Sequence, residues 1–158
     1  MSAASYSRAQ KALHWAIALL VGLQYLAFDE IGRAFGMGMR SGEFTVTGGV
    51  RAHVVTGIAI LVLMLWRIGL RLTRGAPPPP ADEPPLAQRA AVAVHWAFYG
   101  LLVALPVSGL LAWFLPSGPL GGLHDLGRML LMWLVLLHVG AVLVHQIWWR
   151  TGLIRRMT

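Results

Sequence analysis

The chain has 158 residues, of which 57% are hydrophobic and only 12% carry a charged side chain. Soluble domains carry charge on about 25% of their residues, so this composition excludes an ordinary soluble domain. A mean hydropathy of +0.65 agrees, and the sequence predicts an integral membrane protein. The length accommodates four spans of about 20 residues with short connections. We therefore expect a single all-α domain, residues 1–158, folded as a four-helix up-down bundle.

The chain contains no cysteine and has a net charge of +7. Without thiols it forms no disulfide, no iron–sulfur cluster and no covalent haem attachment. Its basic residues lie at the ends of the apolar stretches instead of on one soluble face. We therefore expect no nucleic-acid partner, and we assign the charge to membrane orientation and to contact with anionic lipid.

The first span covers about 9–29. Ser7 and Gln10 have the spacing of a capping box, which predicts a helix start at Arg8. A polar, glycine-rich connection from Asp29 to Gly49 follows. We expect it to lie as a partly ordered loop over one end of the bundle.

The second span covers about 50–72 and is expected to carry His53 in its first turn. A strap from Gly75 to Pro85 then holds six of the nine prolines, which favour stiff, extended geometry. The third span covers about 87–115. The fourth covers about 124–149 and is expected to begin at His124.

The basic residues also predict the orientation. Nine lie at the end that carries both termini and four at the opposite end. The positive-inside rule then places both termini in the cytoplasm. The nine are Arg8, Lys11, Arg67, Arg71, Arg74, Arg89, Arg150, Arg155 and Arg156, and the four are Arg33, Arg40, Arg51 and Arg128.

All six histidines lie inside or at the end of the predicted spans, where ionisable side chains mark functional sites. They form two layers, with His14, His95, His138 and His145 near the inner surface and His53 and His124 near the outer one. His124 and His138 are separated by about 21 Å of helix rise, which suits two stacked cofactors and not one metal ion. Paired imidazoles at two depths predict two non-covalent haems of the b type.

The outer layer offers only His53 and His124, and we expect both to bind one haem iron. The inner layer offers four imidazoles for two axial positions, and spacing alone does not choose among them. A purely structural role is the alternative for His95 and His145.

Two arginines lie close to the outer histidines. Arg51 precedes His53 by two residues, and Arg128 follows His124 by four. Each has two interpretations: it binds a haem carboxylate or an anionic substrate, or it contacts lipid phosphate.

Several short motifs follow one another along the chain, each occurring once. They are Tyr6-Ser7-Arg8-x-Gln10 with His14-Trp15, His53-x-x-x-Gly57-Ile58 leading to Arg67, His95-x-x-x-Tyr99 with Ala104-Leu105-Pro106-x-x-Gly109, and His124 followed by His138 and His145. This pattern resembles the bacterial cytochrome b561 family over nearly the whole chain. The resemblance implies axial ligands His53 and His124 for the outer haem and His14 and His138 for the inner one. It also implies that Arg8, His95 and His145 line a quinone pocket near the cytoplasmic surface.

The resemblance implies an oxidoreductase in which the haems, and no separate catalytic side chain, pass electrons from periplasmic superoxide to ubiquinone. The main alternative is a cytochrome b membrane anchor that transfers electrons for a separate dehydrogenase or hydrogenase. A transporter with a histidine-lined metal path is disfavoured because the spans lack the acidic residues that hard cations prefer. The chain departs from the family pattern at Leu123-His124-Asp125 and in the connection from Asp29 to Gly49, both on the side where the electron donor arrives.

Overall fold

The computed structural model describes residues 5–27, 30–78 and 83–158, and the regular secondary structure in this part is helical. Within these ranges there is no strand, so the all-α prediction is confirmed. The five α-helices are α1 (Arg8–Ala27), α2 (Glu30–Ser41), α3 (Gly48–Arg74), α4 (Pro85–Phe114) and α5 (Gly118–Ile147), and a 3-10 helix, η1, covers Leu153–Arg156.

Three of the described helices are long and apolar enough to cross a bilayer alone. These are α3, α4 and α5, of 27, 30 and 30 residues. At about 1.5 Å per residue each exceeds the hydrocarbon thickness of about 30 Å. Helices α1 and α2 meet the same criterion only as a pair, with an angle of 61° between them. The crossing expected over about 9–29 therefore stays a prediction.

Helix α3 organises the packing. Helices α1, α2 and α4 contact it, and α5 packs along α4. The face of α3 that points inward carries Ile60, Met64 and Arg67, which recur at the spacing of one helix face. The outer surface is strongly apolar, as Trp133 shows with 62% of its surface exposed. A surface of this kind suits lipid, because acyl chains are as apolar as the side chains they meet.

Helix α2 corrects the expectation of a partly ordered loop between Asp29 and Gly49. Residues Ile31, Ala34, Phe35 and Gly38 recur at helical spacing, and Ala34 and Gly38 are buried. The glycines of this segment suggested a loop, yet one of them lies on the buried face, where a small residue allows close packing. Phe35 packs beside Trp113 of α4, so α2 lies at the end of the bundle where α4 ends and α5 begins.

Two helix starts also differ from the expectation. Thr47 caps α3 by accepting a hydrogen bond from the backbone N–H of Val50 at 3.2 Å, and Ser117 caps α5. Helix α3 therefore begins at Gly48 and α5 at Gly118. As a result, His53 and His124 both lie beyond the first turn and reach deeper into the bundle. The capping box of α1 is present, since Ser7 and Gln10 exchange hydrogen bonds between side chain and backbone.

The first and last described residues meet at one end of the bundle, which we call the termini end. Lys11 donates a hydrogen bond to the backbone carbonyl of Thr158 at 2.7 Å, and the indole N–H of Trp15 donates to that of Met157 at 2.9 Å. Arg156 donates to the carbonyl of Pro78 in the strap at 2.7 Å. The C-terminal residues therefore fold back across the start of α1 and contact the strap. The opposite end is the α2 end.

Candidate functional site

Two imidazoles face each other near the α2 end. His53 on α3 and His124 on α5 have ring centroids 6.2 Å apart, with 67° between the ring planes. An imidazole nitrogen binds a first-row metal at about 2 Å, so two rings on opposite sides of one iron have centroids about 6 Å apart. The observed separation therefore fits two axial ligands of one haem iron.

A hydrogen bond to His124 determines which of its two ring nitrogens is left to bind a metal. Its Nδ1 lies 2.9 Å from the backbone carbonyl oxygen of Leu105 on α4. A carbonyl only accepts hydrogen bonds, so Nδ1 carries the proton and donates it. The lone pair of Nε2 is then left for a metal, which is the arrangement found around metal-binding histidines.

A cavity of about 550 Å³ surrounds this pair. His53, His124, Gly57 and Gly109 line it together with Phe35 of α2. A Cβ added at Gly109 would lie 2.9 Å from the His124 ring, so this glycine makes room for the imidazole. The volume lies in the range of cofactor sites, which is about 300–1,000 Å³. Together, the paired rings and the cavity fit a haem.

A second group of imidazoles lies toward the termini end. The ring centroids of His14 on α1 and His138 on α5 are 6.4 Å apart, with 64° between the planes. His95 on α4 is also close, at 6.1 Å from His138. His138 is therefore common to both pairs. Geometry brings His14 and His95 equally near it, so the choice between them stays open, as it was in the sequence.

The histidines form pairs and do not form an ion-binding cluster. Among the described residues no group of three or more His, Cys, Asp or Glu is arranged to hold a metal ion. A protein site for a bare transition metal usually supplies three or four ligands, whereas haem iron needs only axial ones because the porphyrin provides the rest. The arrangement of imidazoles in the described chain therefore favours haem over a metal-transport path.

Sequence reasoning used Arg67 for orientation and did not assign it to a site. Only 8% of its surface is exposed, and its guanidinium donates a 2.6 Å hydrogen bond to the backbone carbonyl of Gln10 on α1. It lies within electrostatic range of His14 and His95. A signal was present, because Arg67 continues the helical spacing of His53, Ile60 and Met64.

The three residues assigned to a quinone pocket lie at the termini end but are not all in contact. His95 lies beside His138, and its Nδ1 is 2.6 Å from the carbonyl oxygen of Ala91. His145 is near the end of α5 and contacts Glu83 of the strap. Arg8 begins α1 with its side chain exposed. No described contact joins Arg8 to either histidine.

The two outer arginines differ in their surroundings. Arg51 is exposed. Arg128 is also exposed and forms an ion pair with Asp125 at 3.0 Å, while its backbone carbonyl accepts a hydrogen bond from the Tyr25 hydroxyl at 2.5 Å. Both Arg128 and Asp125 border the cavity around His53 and His124.

The sequence profile of prokaryotic cytochrome b561 matches residues 5–158. This chain belongs to the prokaryotic cytochrome b561 family. Members of the family are membrane-bound proteins that transfer electrons through haem b. The prediction of the family is therefore confirmed, and the cytochrome is assigned to membrane electron transport and to the oxidoreductases.

Two curated relatives are similar to this cytochrome. One, named cytochrome b562, is from Cereibacter sphaeroides and is 34% identical over 152 residues, covering 96% of this chain and 94% of the relative. The other, named probable superoxide oxidase CybB, is from Yersinia pestis and is 32% identical over 108 residues. That match covers 66% of this chain and 56% of the relative.

Proposed function

We propose that this cytochrome is a four-span protein that holds two haem b groups and passes electrons from periplasmic superoxide to ubiquinone. The observation that carries the proposal is the presence of two imidazole pairs with centroid separations of 6.2 Å and 6.4 Å, toward opposite ends of α5. The similarity to a protein named probable superoxide oxidase supports superoxide as the donor. Haem, when bound, supplies a one-electron redox couple at each end of the bundle.

His53 and His124 are proposed as the residues that would hold a haem near the α2 end, by binding its iron through their imidazole nitrogens. The hydrogen bond from His124 Nδ1 to the Leu105 carbonyl holds that ring in position. Helix α2 lines one side of the cavity with the apolar side chains of Ile31 and Phe35. The four arginines and four acidic residues at this end balance, so any attraction of superoxide would come locally from Arg51 or Arg128.

His14 and His138 are proposed as the residues that would hold a second haem toward the termini end, as the family resemblance implies. Arg67 then provides a buried cation close to this pair. A buried arginine is costly unless it meets a negative group, and the carboxylates of a haem are suitable partners. This assignment leaves His95 available to the quinone together with His145 and Arg8.

The termini end is proposed to face the cytoplasm of a bacterial inner membrane. Nine of the thirteen basic residues belong to that end, and the positive-inside rule places the more basic end in the cytoplasm. Superoxide would then arrive at the α2 end from the periplasm, and ubiquinone would be reduced near the cytoplasmic surface.

Stopped-flow mixing of the purified, haem-loaded protein with superoxide tests this proposal. We expect rapid appearance of the reduced haem spectrum, followed by reoxidation when a short-chain ubiquinone is present. If superoxide leaves the haems oxidised while a co-purifying dehydrogenase or hydrogenase reduces them, the protein is an electron-transfer subunit and the superoxide assignment is wrong.

A further inference from the structure

The proline-rich strap places a carboxylate against His145. Glu83 lies just before α4, and its Oε1 is 3.3 Å from Nδ1 of His145 near the end of α5. The exposed fractions of the two side chains are 8% for Glu83 and 13% for His145. Oε1 of Glu83 has no hydrogen-bond partner within the described chain. A buried carboxylate without full hydrogen bonding is costly, so its position here needs an explanation.

Charge makes the position of Glu83 unusual. Of the six acidic residues, only Asp82 and Glu83 belong to the sequence of the proline-rich strap, and among the described acidic residues Glu30, Glu43 and Asp125 lie at the α2 end. Asp82 lies outside the described residues. Glu83 is therefore the one described carboxylate that faces the proposed quinone region.

The hydrogen bonds around His145 leave one of its ring nitrogens available. Nδ1 is 3.1 Å from the hydroxyl oxygen of Thr151 and 3.3 Å from Glu83, so both contacts converge on the same nitrogen. The Thr151 hydroxyl donates to the backbone carbonyl of His145 at 3.4 Å and can accept from Nδ1. No described hydrogen bond uses Nε2.

The other charged groups and histidines on the helix ends near the termini end are basic. They include Arg67 and Arg71 on α3, Arg89 and His95 on α4, Arg150 after α5, and Arg155 and Arg156 on η1. Arg156 is held by its hydrogen bond to Pro78 of the strap. Among the described residues, Glu83 brings the only opposite charge into contact with His145.

We propose that Glu83 is the proton-transfer partner of His145, so that the pair delivers protons from the cytoplasmic surface to the quinone. This inference rests on the proposed quinone site. Reduction of the quinone to quinol consumes two electrons, which two superoxide molecules supply as they become oxygen, and two protons. Before the transfer, His145 is neutral with its proton on Nε2, and Glu83 is a protonated carboxyl group that faces the free lone pair of Nδ1. As Nε2 gives its proton to a quinone oxygen, Nδ1 takes the proton of Glu83, so His145 stays neutral, Glu83 becomes a carboxylate, and Thr151 accepts from the newly protonated Nδ1. Exchange of the ring proton from Nδ1 back to Nε2 resets His145 for the second proton. Glu83 is then reprotonated from water at the termini end.

The test measures reoxidation of the haems by a short-chain ubiquinone after chemical reduction, so that superoxide is not involved. Glu83→Gln should slow reoxidation by roughly 100-fold, the lower end of the range for general acid–base catalysis. The slowing should increase with pH, and the ratio of rates in H2O and D2O should rise. Glu83→Asp retains the carboxyl group, so its reoxidation rate should keep most of the pH dependence of the unaltered protein. Glu43→Gln, an exposed change at the α2 end, serves as the matched control and should have no effect.

An infrared difference measurement on the unaltered protein provides a readout that requires no variant to fold. Quinone reduction should perturb a carboxyl band, and Glu83→Gln should remove that perturbation. An unchanged rate and pH profile in Glu83→Gln, or the absence of a carboxyl signal in the unaltered protein, overturns the inference. Failure of ubiquinone to reoxidise the haems of the unaltered protein instead contradicts the proposed function.

Discussion

His124 shows how much of the site depends on contacts that a single residue makes. Its Nδ1 donates to the Leu105 carbonyl, and its ring lies where a side chain at residue 109 would be. Spacing along the sequence predicted that His124 and His138 share an inward face, and the structure places both among the partly buried residues of α5. The role of Gly109 was not predicted, because the imidazole that requires a small residue at this position belongs to His124 on another helix.

Gly109→Ala should disturb the outer haem alone. The added methyl group would lie 2.9 Å from two atoms of the His124 ring, so the ring must move or tilt. We expect loss or weakening of the haem near the α2 end with retention of the other, measured by haem content and redox titration of the purified protein. Gly100→Ala on the same helix meets nothing within 4 Å and is the matched control. Equal effects of the two substitutions would contradict the close approach of His124 to α4.

Alanine substitutions at His14 and His95 test which of the two residues shares a haem with His138. If His14 is the axial ligand, His14→Ala should lose the haem toward the termini end, whereas His95→Ala should keep both haems and slow quinone reduction. The measurement is haem content by pyridine haemochrome, followed by reoxidation with ubiquinone. The opposite result would make His95 the ligand and place His14 at the quinone.

At the scale of elements, prediction succeeded where periodicity was strong and failed where it was weak. The long apolar helices α3, α4 and α5 follow from composition and length. Helix α2 was missed because its glycines resemble a flexible connection, although Ile31 and Phe35 keep helical spacing. The contact between Glu83 and His145 could not be predicted, since the proline-rich strap has no period that fixes where its side chains point.

Phe35→Ala tests the packing of α2 on the bundle. Phe35 contacts Phe44 and Trp113, so the substitution should weaken the docking of α2 by about 1–3 kcal/mol, below the usual 3–5 kcal/mol because the side chain is only half-buried. Hydrogen exchange should become roughly 5- to 150-fold faster over Glu30–Ser41, since ~1.4 kcal/mol corresponds to a factor of ten. Met39→Ala, at an exposed position of α2, should change exchange much less. Equally slow exchange in both variants would show that Phe35 does not anchor α2.

For the whole molecule, the absence of cysteine makes orientation directly measurable. Basic residues predicted the side of the membrane, and the structure brings the first and last described residues together at one end. A single introduced cysteine is then a unique label. Labels placed before α3 and after α5 show whether the helices between them cross an odd number of times and which end faces the cytoplasm.

Thr45→Cys and Arg155→Cys should react from opposite sides of the membrane. Both residues are exposed, the first between α2 and α3 and the second on η1. An impermeant maleimide added to intact spheroplasts should label Thr45→Cys only, and added to inverted vesicles it should label Arg155→Cys only. Labelling of both positions from one side would contradict membrane crossing by all three of α3, α4 and α5.

The central claim is that His14, His53, His124 and His138 bind two haem irons at different depths of one helix bundle. Haem content per chain, measured together with the spin state of the iron in the purified protein, tests it most directly. We expect two haems per chain, both low-spin and each bound by two histidines. Each of the variants His53→Ala and His138→Ala should lose one haem. A fully loaded protein that contains a single haem, or that retains both in either variant, would contradict it.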